Sequence, residues 1–210
     1  MKLSALKLIP SISSLLVALS AAPKKPIMSW PPASETNYVD VDKFDLDPDL
    51  EITLWAKSPL FYNPTNMSID PKGRIWVTEG VNYREKLGIR RNAGDRIMVL
   101  IDTDQDGKAD QSKVFLQDPY LESPLGISVF DNKIIISQPP DIVIYTDVNR
   151  DLKFDPKIDK KEILLTGFNG RQHDHSLHSI TSGPDGKWYF NSGNCGAIFT
   201  DNSGKTFRMN

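Results

Sequence analysis

The chain has 210 residues, 39% hydrophobic and 25% charged, which is enough apolar material for one sizeable core and unlike a disordered segment. A formal net charge of -2, with no basic face interleaved with aromatics, excludes a general nucleic-acid binder. One cysteine, Cys195, excludes an internal disulfide framework, a cysteine-based zinc site and a Cys-x-x-Cys-His haem attachment, so any haem lies outside this chain.

The first residues have the parts of a secretory signal: Lys2 and Lys7, an apolar run from Leu8 to Leu19, then the small residues Ala18, Ser20, Ala21 and Ala22. Residues 1–20 are expected to be removed near Ser20, since the run is shorter than the roughly 20 residues a bilayer span needs. An uncleaved anchor is the alternative. Either way the protein is expected to be exported and to reside in the periplasm or cell envelope. Residues 21–43 form a Pro-rich leader, and the domain occupies residues 44–210.

From Phe44 onward, apolar spacing at three and four is almost absent. Short runs rich in Val, Ile, Trp, Tyr and Phe are bounded instead by Asp, Gly, Pro and Asn, an all-β signature. In chain order the predicted strands are Glu51 to Ala56, Asn66 to Ile69, Arg74 to Thr78, Arg96 to Asp102, Lys113 to Leu116, Gly126 to Phe130, Lys133 to Ser137, Ile142 to Thr146, Glu162 to Thr166, Ser179 to Ser182 and Trp188 to Asn191. A further strand should follow the turn Asp201 to Gly204.

Segments 66–77, 126–136 and 179–190 each read strand, tight Asp/Gly turn, strand, and Met67, Ile127 and Ile180 recur at intervals of roughly 50 to 60 residues. Four strands per repeat describe the blades of a β-propeller, in which each small sheet buries its faces against its neighbours. About three blades fit the length, whereas closed propellers usually have four to eight. The expectation is therefore a partial β-propeller, the N-terminal part of a longer protein.

Two hairpin turns are acidic. Asp102, Asp104, Asp106 and Asp110 stand at positions 1, 3, 5 and 9 of a calcium loop, with Gly107 at 6 and the Lys108 carbonyl at 7. Lys113 replaces the bidentate Glu of an EF-hand, so another ligand or water must complete the shell. The second loop offers Asp147, Asn149, Asp151, the Lys153 carbonyl and Asp155, with Leu152 in place of the glycine, and is expected to be the weaker site. The alternative for both is a solvated turn, for which Asp, Asn and Gly are the usual residues.

All three histidines fall between Arg171 and His178. His173 and His175 project the same way on extended backbone, with Asp174 opposite and His178 around a bend. Such a cluster can accept protons, bind a metal or line a polar pocket.

With these motifs laid out, the chain resembles the N-terminal propeller of the PVC-type haem-binding Cys-x-x-Cys-His proteins, a membrane-bound dehydrogenase family. The resemblance runs from about Phe44 to Gly196. It is carried by the stretches Asn63 to Glu79, Asn82 to Arg84, Asp95 to Asp110, Pro124 to Ile127, Leu165 to Phe168, His173 to His178 and Gly183 to Gly186. Members usually continue into helical repeats and a C-terminal cytochrome c domain, so the resemblance implies haem c in a downstream domain and an electron acceptor outside this chain. A more distant similarity is to soluble quinoprotein glucose dehydrogenases, where an Asp-His pair precedes a Gly-Pro-Asp turn as Asp174-His175 precedes Gly183 here. That similarity implies His175 as the base taking a hydroxyl proton while hydride passes to pyrroloquinoline quinone, with Asp174 orienting the substrate or the ring. The glucose enzymes' following arginine is Ser179 in this chain.

The first expectation is thus the propeller part of a quinone- or haem-linked dehydrogenase of sugars or other alcohols. The second is a calcium-stabilised propeller that binds carbohydrate or protein without catalysis. A metal held by His173, His175 and His178 is the third.

Overall fold

The computed structural model describes residues 39–83, 91–169, 175–194 and 196–209. These residues form twelve strands and one 3-10 turn, Val41–Lys43, so the chain is all-β, as its patterning predicts. The expected signal, most of the leader, His173 and Asp174 lie outside the described residues.

Strands β1 (Pro64–Ile69), β2 (Ile75–Glu79), β3 (Arg96–Ile101) and β4 (Gln111–Gln117) pair in chain order as one antiparallel meander. The meander is repeated by β5 (Gly126–Phe130), β6 (Lys133–Gln138), β7 (Asp141–Thr146) and β8 (Lys160–Thr166). A third set follows: β9 (Leu177–Ser182), β10 (Trp188–Ser192), β11 (Ala197–Asp201) and β12 (Thr206–Met209). It does not close into one sheet. The register of β10 slips after Phe190, and the Gly193 N–H donates to the Ser176 carbonyl at 2.7 Å, which ties the end of β10 back toward β9. The β11–β12 hairpin pairs instead with the free edge of β8, through Thr200 with Thr166 and Asp201 with Leu165.

The predicted strand Glu51 to Ala56 joins no ladder. Its apolar residues cap a sheet face rather than extend an edge: Trp55, with Leu60 and Phe61, packs on Val77, Met98 and Leu100. The Trp55 carbonyl accepts the Ala109 N–H at 2.7 Å. β11 was not among the predicted strands, because a short apolar run between Gly196 and an Asp turn carries little periodic signal.

Sheets stack face to face, and β6 shows why its sequence is apolar at every step. Ile134 and Ile136 point into the cluster shared with the first sheet, around Trp76, Phe115 and Tyr145. Ile135, between them, points into the cluster shared with the third set, around Phe168, Leu177 and Phe199. Neighbouring side chains alternate sides, so a strand covered on both faces loses the apolar-polar alternation. Each isoleucine so buried contributes about 1.5–3 kcal/mol.

The first strands of the three sets, β1, β5 and β9, lie side by side. Asn66 on β1 donates from its amide to the Leu125 carbonyl at 3.1 Å and to Ser179 Oγ on β9 at 3.2 Å. Gly126 makes the β5–β9 approach possible, since a β-carbon there would stand 2.5 Å from the His178 carbonyl oxygen. This is the adjacency of inner strands that the repeat predicts.

Candidate functional site at two opposite ends of the sheets

Antiparallel pairing sorts the chemistry. The starts of odd-numbered strands and the ends of even-numbered ones share one end of the stack, where β9 begins just after His175. The β3–β4 and β7–β8 connections, which carry both acidic loops, leave from the other end. The sheets therefore hold His175 and His178 apart from the acidic loops, although the sequence offers both as sites.

At the histidine end, His175 is exposed on a 3-10 residue leading into β9, and Ser176 beside it is buried. Gly193, at the end of β10, lies directly against it, where a β-carbon would come within 2.5 Å of the His175 carbonyl carbon. His178 is half-buried and lines an open cleft of about 510 Å³ with Asn63, Thr65, Gly80, Tyr83 and Leu125. His178 thus lines the cleft where β1, β5 and β9 meet, and His175 stands exposed at the same end of the sheets, just ahead of β9.

Sequence reading missed what builds this rim. Glu79, at the end of β2, is 0% exposed and is surrounded by donors. Its Oε1 accepts the Tyr62 N–H at 2.8 Å and Arg96 Nη2 at 2.6 Å, while Oε2 accepts Arg96 Nε at 2.7 Å and Arg91 Nη1 at 2.5 Å. The four bonds match the carboxylate's acceptor capacity, which is the condition for an ion pair to persist out of water. Asp95 is also fully buried and accepts N–H groups from Val81, Asn82 and Ser123. Burial pushes its carboxyl above the usual range, against the opposing pull of those N–H groups and of Arg91. Asn82 closes the base of the intervening segment, donating to the Arg91 carbonyl at 3.0 Å and accepting the Arg91 N–H at 2.9 Å. The signal was available: Glu79, Arg91, Asp95 and Arg96 are clustered charges flanking apolar strands, but their burial is invisible in one dimension.

Pyrroloquinoline quinone, implied by the resemblance, carries several carboxylates and requires cations to hold them. At the described rim Arg91 and Arg96 are hydrogen-bonded to Glu79, so holding those carboxylates would fall to residues outside the described ones.

At the acidic end, one carboxylate oxygen from each of Asp102, Asp104 and Asp106 lies within 4.8 Å of the others, the only such acidic group among the described residues. Asp102 organises the loop. Its Oδ1 accepts the Gln105 N–H at 2.7 Å and its Oδ2 the Gly107 N–H at 2.9 Å. Asp106 accepts the Lys108 N–H at 2.8 Å. Asp110 is taken by Thr103, whose hydroxyl donates to it at 2.5 Å. Three converging carboxylates suit a hard cation, and the Lys108 carbonyl stands at the next ligand position of the loop.

The second loop has the same backbone. Gln105 and Gly107 have φ of 63° and 87°, and their counterparts Arg150 and Leu152 have 60° and 66°. Asp147 Oδ2 accepts the Leu152 N–H at 3.0 Å, as Asp102 accepts that of Gly107, and Asp151 accepts the Lys153 N–H at 2.9 Å. Leucine at the glycine position is thus no bar to the loop. Its left-handed backbone costs about 1–2 kcal/mol, offset by burying the side chain, 8% exposed, in the cluster with Trp76 and Phe115. Asp155 accepts the Lys157 N–H, and its own N–H donates to Asp159, a buried carboxylate that also accepts the Val148 N–H. Sequence spacing had not singled out Asp159.

Residues 38–210 match the family model described as Domain of unknown function (DUF7133). No curated protein matches the chain. Among solved structures, similarity is found to an iodide structure of Trichoderma reesei Carbohydrate-Active Enzymes Family AA12, at 17% identity and a TM-score of 0.41, covering 68% of this chain and 31% of that one. A calcium structure of the same family matches at 17% identity and a TM-score of 0.41, covering 66% and 29%. The chain thus spans less than a third of the length of these structures.

Proposed function

The chain belongs to the DUF7133 family, and for this member we propose an exported β-propeller portion of a quinone- or haem-linked dehydrogenase that oxidises sugars or other alcohols. The observation that carries this reading is the open cleft lined by His178 where the first strands of the three sets meet, with His175 exposed at the same end just ahead of β9. In this reading His175 accepts the hydroxyl proton of the substrate, and Asp174 orients the substrate or the ring. Hydride leaves the carbon for an acceptor held outside the described residues. A base must be within hydrogen-bond reach of the proton it takes, and the exposed His175 is open to a substrate at that end. In this reading the cytochrome c partner is a downstream domain outside this chain.

Calcium belongs to the scaffold in this reading. The Asp102 loop takes it at the far end from the histidines, where it stiffens the β3–β4 connection without touching the chemistry. Adding calcium should then raise the melting temperature by mass action. An Asp102→Ala, Asp106→Ala variant should lose the part of that rise that this loop supplies.

One observation favours the second reading, a calcium-stabilised module that binds carbohydrate or protein without catalysis. Arg91 and Arg96 of the described rim both turn guanidinium groups to the buried Glu79, a structural use of these two cations. Turnover separates the two. The full-length protein, given sugars or alcohols and an artificial electron acceptor, should reduce the acceptor, and His175→Ala should slow it by about a hundredfold or more. Glycan binding without acceptor reduction, unchanged in His175→Ala, would leave the second reading standing.

A further inference from the structure

The β7–β8 loop contains a carboxylate that the protein itself leaves unfinished. Asp147 is 3% exposed, and its Oδ1 is enclosed with no hydrogen-bond partner. Its other oxygen is tied across the loop to the Leu152 N–H, which fixes the carboxylate inside the ring of backbone running from 147 to 155. An ionised carboxylate taken out of water costs several kcal/mol unless every lone pair finds a donor or a cation. Here two of the features that normally meet this cost are directed elsewhere. Arg150, the nearest cation in sequence, gives its two guanidinium bonds of 2.7 Å to Asp131 and acts on Asp147 only as a nearby charge. The Gln105 N–H, which satisfies Oδ1 of Asp102 in the first loop, has no counterpart bond from Arg150 N–H to Asp147.

From this we infer that the second acidic loop is itself a divalent-cation site, of calcium type, and that it binds more tightly than the Asp102 loop. The inference rests on the calcium reading of the acidic loops and reverses the order expected from their sequences. The ligands are Asp147 Oδ1, the side chains of Asn149 and Asp151, and the Lys153 carbonyl, with water completing the shell. Asn149 supports the assignment. Its amide donates to Asp151 Oδ2 at 3.0 Å, which holds these two side chains of the loop together.

The ranking follows from solvation. In the first loop Asp104 and Asp106 are exposed, and each Asp102 oxygen already accepts one N–H, so a cation there replaces water around oxygens that are partly served. In the second loop the cation meets a buried carboxylate oxygen that no protein donor serves. Site rigidity raises affinity as well. This loop is pinned by Leu152 in the core and by the Phe154 N–H, which donates to the Phe115 carbonyl of β4 at 2.8 Å. That last bond crosses from the second sheet to the first, so a cation at Asp147 also secures the contact between them.

Calorimetric titration of the chelator-treated full chain with calcium chloride tests the inference, using wild type and the variants Asp102→Asn, Asp147→Asn and Asp151→Asn. Wild type should show a tight event at least tenfold stronger than any other, and Asp102→Asn should keep it. Asp147→Asn and Asp151→Asn should each lose it. Asp151 is exposed, so its variant reads the site even if Asp147→Asn does not fold. Melting curves supply a second readout. Calcium should stabilise wild type and Asp102→Asn but not Asp147→Asn, which in chelator should melt no lower than wild type because it no longer buries an unpartnered charge. A tight event lost in Asp102→Asn and kept in Asp151→Asn would overturn the inference while leaving calcium at the first loop. Absence of calcium binding altogether would overturn both and leave the His175 chemistry to its own test.

Discussion

Gly193 lies against the backbone of His175, so closely that a β-carbon would stand 2.5 Å from the His175 carbonyl carbon and 2.6 Å from its Cα and oxygen. The exposed histidine at the rim is therefore held from behind by the end of β10. Its position depends on a residue that carries no side chain at all.

We expect Gly193→Ala to force the two segments apart, with a loss of about 1–3 kcal/mol as in other overpacked sites. Urea denaturation reads the loss, and Asn194→Ala serves as the neighbouring control. In an active full-length protein the same substitution should lower turnover, because His175 moves with its backbone. Unchanged stability and unchanged turnover would show that the contact positions nothing.

Leu152 pays a backbone cost that its burial offsets, and the two can be separated. Leu152→Ala should destabilise by about 2–5 kcal/mol, the range for truncated core leucines. Leu152→Gly relieves the left-handed strain but loses the same contacts with the core, so it too should be less stable than wild type. A Leu152→Gly protein that melts above wild type would mean that strain, not packing, governs this loop.

Glu79→Gln should be among the most damaging single changes at the rim. It leaves Arg91 and Arg96 half-buried around a neutral amide, and breaking a buried ion pair from one side costs about 3–5 kcal/mol. The exposed pair Asp131–Arg150 is the contrast: Asp131→Asn should leave the melting temperature essentially unchanged. Equal effects from the two substitutions would contradict the burial argument.

Acid stability should depend on Asp70. Burial raises its carboxyl, but hydrogen bonds from Trp76 Nε1, Arg74 and the Lys72 and Arg74 N–H groups outweigh burial and hold it below its ordinary value of 3.8. A carboxylate lowered in the folded state binds fewer protons there than in the unfolded chain. Its stabilisation is thus fully present above that ordinary value and is lost as pH falls through the lowered one. Asp70→Asn should accordingly narrow the stability gap to wild type as pH drops from 6 toward 2, in melts across that range. A gap that stays constant with pH would rule out the ionised carboxylate as the source.

The two ends of this molecule differ in how far the sequence reveals them. The acidic loops are local objects: Asp102 to Asp110 and Asp147 to Asp155 contain their own turn residues and most of their own hydrogen bonds, so spacing alone identifies them. The strand runs are local too, and the two complete meanders follow from them. Spacing could not show that Asp147 is buried with an oxygen unmatched while Asp102 is half-buried and satisfied. That difference comes from Leu152, Phe154 and Phe115, which are drawn together only when the first two sheets pack.

By itself, then, the sequence determined the all-β class, the repeated hairpins and the two acidic loops, because each depends on residues within one or two turns of one another. Tertiary structure alone decided that His175 and His178 lie at the opposite end from the acidic loops. It also decided that Glu79 gathers Arg91 and Arg96, that Glu51 to Ala56 caps a face and joins no ladder, and that β11 pairs with β8 rather than β10. The physical reason is common to all four. Which edge a strand takes and which charges leave water are set by the packing of whole sheets against one another, and that packing joins residues far apart in the chain through burial, which no local pattern records.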